Sequence, residues 1–313
     1  LCRVNPGLIL IFITPFGFGT PYDLWRVNDY LLWHMSGMGF ASPGLPDYAD
    51  DPEREPPLHP DAPAAGILVG GVAASAAMCA LTARSRDGRG RQVDIPAHAA
   101  LVSLGSAEVW PYSFAHILRG RHGMQRGYAP NAIFPCKDGW VAIVGFQDHH
   151  WQQLVHVMGD PPWAMDDRFR DGPSRDAHSK TLELFIRTWT LENIGADITR
   201  RTQERGVPCF HYHSLSEAVA SEQHLARRFL WELDVHGRRA QAPGAPIRLA
   251  GMSQPLSARG PRIGQDTMHV LEDIRESAGR SSHASVSSDH PESRLPLEGI
   301  RVVDLGQAVA IPF

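Results

Sequence analysis

Two kinds of charged side chain in this sequence could take part in chemistry. Asp29 and Asp61 are carboxylates on either side of a proline-rich stretch, and a carboxylate can act as a nucleophile. Of the two, Asp29 is expected to be a helix-entry or hydrogen-bonding residue. Four arginines between Arg84 and Arg91 could bind phosphate, because the guanidinium fork matches phosphate oxygens. The commoner structure for such a cluster is a solvated helix end, where cations favour the C-terminus.

Two short pairs of histidines could in principle bind a metal ion, which would be a third kind of chemistry. The neighbours His149 and His150 point to different faces of a predicted helix. His211 and His213 have no Cys or carboxylate partner at ligand spacing along the chain. We therefore expect no metal site.

The elements that must position these side chains begin with a buried strand. Gly7–Thr14 is a continuous apolar run, which predicts a central parallel strand buried on both faces. The loop Pro15–Tyr22 follows at its carboxyl end, where open α/β sheets bind ligands. Val27–Met38 is predicted as a short helix. Ala62–Ala83 carries no charge and is long enough to span a bilayer, but its small residues favour a buried helix packed closely on a sheet.

The second part of the chain has shorter elements with polar flanks. Gly139–Phe146 predicts a strand, and Asp148 is expected to cap the helix that follows it. Ser179–Thr190 and Glu192–Arg205 have the apolar spacing of amphipathic helices, and Phe229–Val235 predicts another strand. The order of the elements indicates a parallel α/β part, then a smaller α+β part, then a segment that returns to the first part.

Composition limits the class of protein. The 313 residues suffice for one large or two medium domains. The formal net charge of −4 gives no basic field for nucleic acid. Four cysteines, far apart and without a CxxC pair, argue against a disulfide framework and fit a reducing, cytoplasmic location. The apolar start contains Pro15 and lacks a basic leader, so we expect no signal peptide.

Both ends of the chain have the pattern of cut domains. The sequence has no initiator Met and enters a strand within a few residues. Residues 277–294 are rich in Ser, His and charge, which is typical of a linker. Residues 296–313 then read as a first strand followed by a small-residue turn. Because such a strand seeks a sheet edge, we expect residues 299–305 to pair with the Gly7–Thr14 sheet or to drive self-association.

Several segments, in order along most of the chain, resemble the family III CoA-transferases, the CaiB–BaiF group. They are NPGLILIFITPFGFGTPY (5–22), Asp29 with Ser36-Gly37, LTARSRDGRGRQVDI (81–95), CKDGWVAIVGFQDHHWQQLVHVMG (136–159), GVPC (206–209) and APGAPIRLAG (242–251). PLEGIRVVDL (296–305) resembles the first strand of the same family again. The resemblance implies a tandem fusion, seen from inside its first copy to the start of its second.

This resemblance implies a fold class and a division of the chain. The fold class is α/β, with a Rossmann-like parallel sheet domain that is incomplete at the N-terminus and a second, smaller α+β domain. The large domain of the first copy would cover residues 1–118, the small domain 119–212 and a return segment 213–276. A linker at 277–295 and the first strand of a second copy at 296–313 would follow.

The resemblance also implies a mechanism and partners. An Asp carboxylate attacks an acyl-CoA thioester, a mixed anhydride forms, CoA re-adds to the Asp, and an acceptor acid takes the CoA. Acyl-CoA and a carboxylic acid would be substrates, with no tightly bound cofactor. Two polypeptides of the family interlock like links of a chain, which implies an interlocked homodimer or an intramolecular tandem pseudo-dimer. No nucleic acid or membrane partner is expected.

The sequence departs from the family at the catalytic positions. An ungapped register that places the motif glycine at Gly70 places Gly66 where the nucleophilic Asp belongs. Racemases of this fold use a His/Asp pair, and Asn28 stands in the His position before Asp29. Asp61 is then the substitute nucleophile to consider, although a loop Asp that caps a turn is the commoner role.

The remaining candidate contacts are for CoA. Ala308, Val309 and Ala310 match family positions that line the CoA cleft, and Arg89 and Arg91 could approach its phosphates. We therefore expect a CoA-transferase whose present copy lacks its nucleophile and is inactive alone. The alternatives are a non-catalytic acyl-CoA-binding or scaffold half, and an acyl-CoA racemase or isomerase.

Overall fold

The computed structural model divides the chain into two compact units. Unit 1 comprises residues 1–123 and 284–313, and unit 2 comprises residues 124–283. Within them, the structure describes residues 1–2, 4–41, 54, 56–105, 112–116, 129–145, 147–235, 237–247 and 262–278. The linker beyond residue 278 and the predicted strand at 299–305 therefore lie outside the described residues, and the domain boundaries drawn from the sequence stay predictions.

Unit 1 contains a parallel strand pair with helices against it. Its elements that position the site are β1 (Leu10–Thr14), α1 (Asp29–Met35), α2 (Met38–Ala41), α3 (Ala64–Asp87), β2 (Gln92–Pro96) and α4 (Ala97–Leu104). β1 and β2 run parallel, with Leu10 opposite Gln92 and Thr14 opposite Pro96. The long connection through α3 is the crossover that a parallel pair requires.

α3 is a helix of small residues that buries one stripe. Alanines and one valine on that stripe pack against α1, α4 and the strands: Ala65, Val69, Ala73, Ala80 and Ala83. Gly88 ends the helix with a φ of 71°, and its N–H donates to the Arg84 carbonyl at 2.8 Å. By length and composition alone, α3 could cross a membrane, and 22% of its most apolar window is buried. The expected close packing of small residues therefore holds on one face of the helix.

The prediction that the first strand is buried on both faces is wrong for the described structure. Ile11, Phe12 and Ile13 at the centre of β1 are all exposed, Ile13 by 56%. Among the described residues, β1 has β2 as its strand neighbour, so one edge and part of a face have no cover from this part of the chain.

Unit 2 is built on antiparallel strands. Its first sheet has β3 (Asn131–Cys136), β4 (Gly139–Val144) and β5 (Cys209–His211), and its second has β6 (Leu230–Val235) and β7 (Arg238–Pro243). Its α-helices are α5 (Asp148–Val157), α6 (Gly172–Ala177), α7 (Ser179–Glu192), α8 (Gly195–Gln203), α9 (Leu215–Val219), α10 (Glu222–Ala226) and α11 (Thr267–Ala278). Short 3-10 turns at Pro162–Met165 and Asp167–Phe169 precede α6. A parallel α/β unit followed by an α+β unit confirms the predicted fold class.

The core of unit 2 lies between the three-stranded sheet and its helices. Alternate residues of β3 and β4 point into it, as the period of a half-buried strand requires. Fully buried side chains from the sheet and from the helices fill it: Phe134, Val141, Ile143, Leu154, Leu182, Ile186 and Ile198.

The expected helix cap at Asp148 is replaced by a buried cation. Gln147 holds the N-cap position of α5 without a side-chain hydrogen bond. The Asp148 carboxylate instead accepts from Arg175 at 2.7 Å, and the Arg175 guanidinium also donates to the carbonyls of Ala129 and Phe169. Since Arg175 is fully buried, these acceptors supply the polar partners that its charge needs.

Candidate functional site

The start of α1 positions Asn28, which stands where racemases of this fold have their His, and its neighbour Asp29. Asn28 is the N-cap, and its side-chain oxygen accepts from the backbone N–H of Leu31 at 3.0 Å. Asp29 is the first residue of the helix and is partly buried. Asn28 therefore has a local structural role, and the carboxylate of Asp29 is directed to a neighbouring helix.

That neighbouring helix is α3, and Asp29 binds its N-terminus. One carboxylate oxygen accepts from the N–H of Gly66 at 2.6 Å, and the other accepts from the N–H of Ala65 at 3.4 Å. The N-cap residue of α3 is Pro63, which supplies no side-chain cap. Asp29 satisfies these first N–H groups instead, and the positive end of the helix dipole stabilises its negative charge.

A histidine and two aromatic rings complete this site. His59 Nε2 lies 3.2 Å from the second carboxylate oxygen of Asp29. The His59 ring contacts Tyr30 and Trp33, with ring centroids 5.1 and 5.9 Å apart. Trp33 also donates from Nε1 to the Leu58 carbonyl at 3.0 Å, which holds this segment against α1. No pattern along the chain pointed to His59, because it lies in a proline-rich segment without periodicity.

Gly66 is the position where the motif register predicts the family's nucleophile, and a carboxylate lies beside it. A Cβ atom added to Gly66 would be 3.3 Å from the Asp29 carboxylate oxygen. An aspartate at position 66 would therefore bring a second negative charge next to Asp29. Among the described residues, the carboxylate nearest to position 66 comes from α1.

Asp61, Arg89 and Arg91, the other described candidates, have different surroundings. Asp61 is exposed in a bend and makes no hydrogen bond or ion pair within the described part of the chain. Arg91 forms an ion pair with Asp87 at 2.6 Å, and this hydrogen bond lowers the pKa of Asp87. Arg89 and Arg91 follow the far end of α3, about 30 Å from Gly66 at 1.5 Å per helical residue. Residues 308–310 lie outside the described residues.

A second group of reactive side chains occurs in unit 2. Cys136 Sγ, Asp138 Oδ1 and His211 Nε2 lie within 4.8 Å of one another. Burial raises the pKa of the Cys136 thiol, whereas the N–H of Gly195 lowers the pKa of Asp138. The second histidine pair has no Cys or carboxylate partner at ligand spacing along the chain, yet the fold brings Cys136 and Asp138 close to His211. Strand pairing brings together residues that are more than 70 positions apart in the sequence.

Comparisons with known proteins agree with the sequence resemblance. The model of CoA-transferase family III matches residues 1–267. Succinyl-CoA–D-citramalate CoA-transferase from Chloroflexus aurantiacus is 28% identical over 279 residues, which are 88% of this chain and 67% of that protein. A succinate–glutarate CoA-transferase from Agrobacterium fabrum is 26% identical over 277 residues, 87% of this chain and 66% of its own length.

Two further comparisons concern length and fold. A probable CoA-transferase from Mycobacterium tuberculosis is 26% identical over 315 residues, which cover 97% of this chain but 37% of that protein. A CaiB/BaiF family protein from Brucella suis has a TM-score of 0.72 at 24% identity, covering 87% of this chain and 69% of that one. The chain thus spans at most about two thirds of the curated relatives described here.

Proposed function

The chain belongs to CoA-transferase family III, and from this membership we propose that the protein transfers CoA from an acyl-CoA thioester to a carboxylic acid. The observation that carries the proposal is the family match over residues 1–267. Relatives that are named as transferases between succinyl-CoA or succinate and another acid support it. We propose dicarboxylic acids as the first substrates to test.

Within that function, we propose that this copy is a scaffold without a nucleophile of its own. Glycine at position 66 has no side chain that could form an acyl anhydride. Asp29 is close, but both of its oxygens already accept hydrogen bonds at the N-terminus of α3. Such bonds stabilise the anion and reduce its reactivity as a nucleophile. The working carboxylate would belong to the second, non-identical copy of a tandem fusion, which forms a pseudo-dimer alone or an interlocked homodimer with an identical fusion. A homodimer of this copy alone would carry Gly66 twice.

The same proposal covers the ligands and the location. CoA thioester is a substrate, no tightly bound cofactor is required, and the protein works in the cytoplasm. Asn28 supports transfer over racemisation, because its side chain caps α1 and an amide cannot act as a general base at neutral pH. The second candidate, an acyl-CoA-binding half without catalysis, is favoured by Gly66 alone.

The test uses the complete protein that contains this chain. It is incubated with succinyl-CoA and a panel of carboxylic acids, and new CoA esters are identified by mass spectrometry. Acyl adducts are captured with hydroxylamine and mapped to peptides. We expect a new CoA ester, and no adduct on the peptides that contain Asp29, Asp61 or Gly66.

Two matched variants separate the alternatives. Asp29→Asn keeps an oxygen that can accept from Gly66, and Asp61→Asn is the exposed control; we expect both to retain transfer close to that of the parent. An adduct on either aspartate, with loss of transfer in the matching variant, would show that this copy is catalytic. CoA binding without transfer to any acid would favour the binding half.

A further inference from the structure

One end of the three-stranded sheet in unit 2 brings three possible metal-ligand atoms close together. Cys136 ends β3, Asp138 lies in the turn before β4, and His211 ends β5 beside Val141 of β4. Asp138 Oδ1 lies 3.3 Å from Cys136 Sγ and 4.0 Å from His211 Nε2. Ligands of a tetrahedral zinc ion are roughly 3.3–3.7 Å apart, given its bond lengths of about 2.0–2.3 Å. These side chains therefore need only small movements to share one ion.

The backbone around His211 is shaped to hold its imidazole. A Cβ atom on Gly195, the first residue of α8, would overlap with the His211 ring, and one on Gly139 would lie 3.1 Å from Nε2. The backbone N–H of His211 donates to Thr199 Oγ1 at 2.8 Å, which fixes the end of β5 against α8. The absence of side chains at two glycines is thus what makes room for the ring.

One atom of this group is buried without a partner. His211 Nε2 makes no hydrogen bond with any described residue, although its side chain is 15% exposed and the atom itself is buried. The 4.0 Å to Asp138 is too long for a hydrogen bond. A buried polar atom without a partner requires an explanation, and an ion is one of the usual ones.

We propose that Cys136, Asp138 and His211 form a zinc site in unit 2, which is independent of the proposed CoA transfer. Thiolate, imidazole and carboxylate are the donor groups that zinc prefers in proteins, whereas Mg²⁺ and Ca²⁺ prefer oxygen ligands alone. On binding, Cys136 releases its thiol proton to solvent and its sulfur donates to Zn²⁺. Asp138 is 41% exposed, so water reaches the fourth position.

The surrounding hydrogen bonds hold the proposed ligands in place. The Gly195 N–H donates to Asp138 Oδ1 at 2.7 Å and orients that carboxylate. The tip of the hairpin is also anchored, because the N–H of Lys137 donates to the Asn193 carbonyl at 3.0 Å. Zinc at this point would join the β3–β4 turn, the end of β5 and the start of α8. We therefore expect it to raise the thermal stability of unit 2.

The test measures Zn²⁺ binding to the full 313-residue chain by competition with a chromogenic chelator. His211→Ala, Asp138→Asn and Cys136→Ser are compared with the parent. The matched controls are His213→Ala, two residues along from the ligand, and Cys79→Ser in unit 1. We expect each ligand variant to lose at least roughly tenfold in affinity, and the controls to keep the parent value. Zinc should raise the melting temperature of the parent and leave that of Cys136→Ser unchanged.

Where a variant folds poorly, substitution of Co²⁺ for Zn²⁺ tests whether Cys136 is a metal ligand. Co²⁺ bound to the parent should give a thiolate-to-metal charge-transfer band, which Cys136→Ser should abolish while its far-ultraviolet circular dichroism stays the same. The proposal is overturned if the parent shows no such band. It is equally overturned if parent and His211→Ala bind zinc alike, or if the controls lose as much affinity as the ligand variants.

Discussion

The β1–β2 pair of unit 1 and the β3–β4–β5 sheet of unit 2 differ in how far their apolar side chains are buried. The β3–β4–β5 sheet of unit 2 lies on a closed core, in which Phe134 and Phe169 are fully buried. The β1–β2 pair of unit 1 is more apolar along β1, yet Phe12 is 37% exposed there. Apolar sequence alone therefore does not produce burial, because a strand also needs elements that cover it.

The comparison bears on the proposed assembly. Parallel strands are normally covered on both faces, and an exposed apolar surface commonly marks a place where another surface packs. Unit 1 also exposes Leu24 and Trp25 in the segment that leads into α1. These features support the proposal that a second copy packs against unit 1, whereas the described core of unit 2 is complete in itself.

Paired Phe→Ala substitutions should show the largest difference between the two sheets. Phe169→Ala removes a fully buried ring that packs against Trp151, Trp163 and Phe185, and we expect a loss of about 3–5 kcal/mol in the free energy of unfolding. Phe12→Ala removes a ring that contacts Phe18 and is partly exposed to solvent. For this variant we expect the free energy of unfolding to fall by less than about 1 kcal/mol. Urea unfolding followed by circular dichroism measures both.

Equal costs for the two substitutions would contradict the contrast between the two sheets. If Phe12→Ala cost as much as Phe169→Ala, the face of β1 would be covered in solution. Repeating the measurement over a range of protein concentrations would then show whether a second chain provides that cover, because the cost would fall as the protein is diluted.

Sequence patterns predicted local elements well where the pattern was periodic. α7 and α8 occur where their amphipathic spacing placed them, since such spacing reports directly on a buried face, and β4 and β6 occur where strands were predicted. The exposure of β1 could not be predicted from the sequence. A continuous apolar run indicates a strand that would be stable when buried, but it does not show which elements pack against it.

Tertiary contacts explain the other failures. Arg175 gave no sign of burial, since its acceptors come from residues 6 to 46 positions away. The link between Asp29 and Gly66 spans 37 positions, and no spacing rule connects residues across a proline-rich segment. That Gly66 and Asn28 depart from the family motif stays a prediction, since it rests on a register read along the chain.

A glycine comparison gives the next largest expected effect. In Gly195→Ala the new methyl group would overlap with the His211 ring, and we expect a loss of about 1–3 kcal/mol from overpacking. In Gly71→Ala, within α3, it would meet no described atom within 4 Å, and we expect a gain of about 1 kcal/mol from helix propensity. Equal losses at both positions, measured by urea unfolding, would contradict the difference in packing between the units.

The smallest expected effect concerns acid, where the two units are alike. In unit 2, hydrogen bonds from the Arg168 side chain and backbone lower the pKa of Asp166 from 3.8 to about 2. In unit 1, Arg91 lowers the pKa of Asp87 in the same way. Because folding lowers each pKa, the unfolded state binds the proton more tightly at low pH.

The stabilisation by Asp166 is therefore complete above about pH 4 and is lost as the pH falls towards about 2. Its size is small, since both partners are exposed and water screens the pair. NMR titration of the carboxyl carbons checks the assignment: Arg168→Gln should raise the pKa of Asp166 towards 3.8 and leave that of Asp87 unchanged. Arg91→Gln should do the reverse. If neither variant moved its partner's pKa, these ion pairs would not persist in solution, and the likeness between the units at acid pH would fail, while the contrast in their packing would stand.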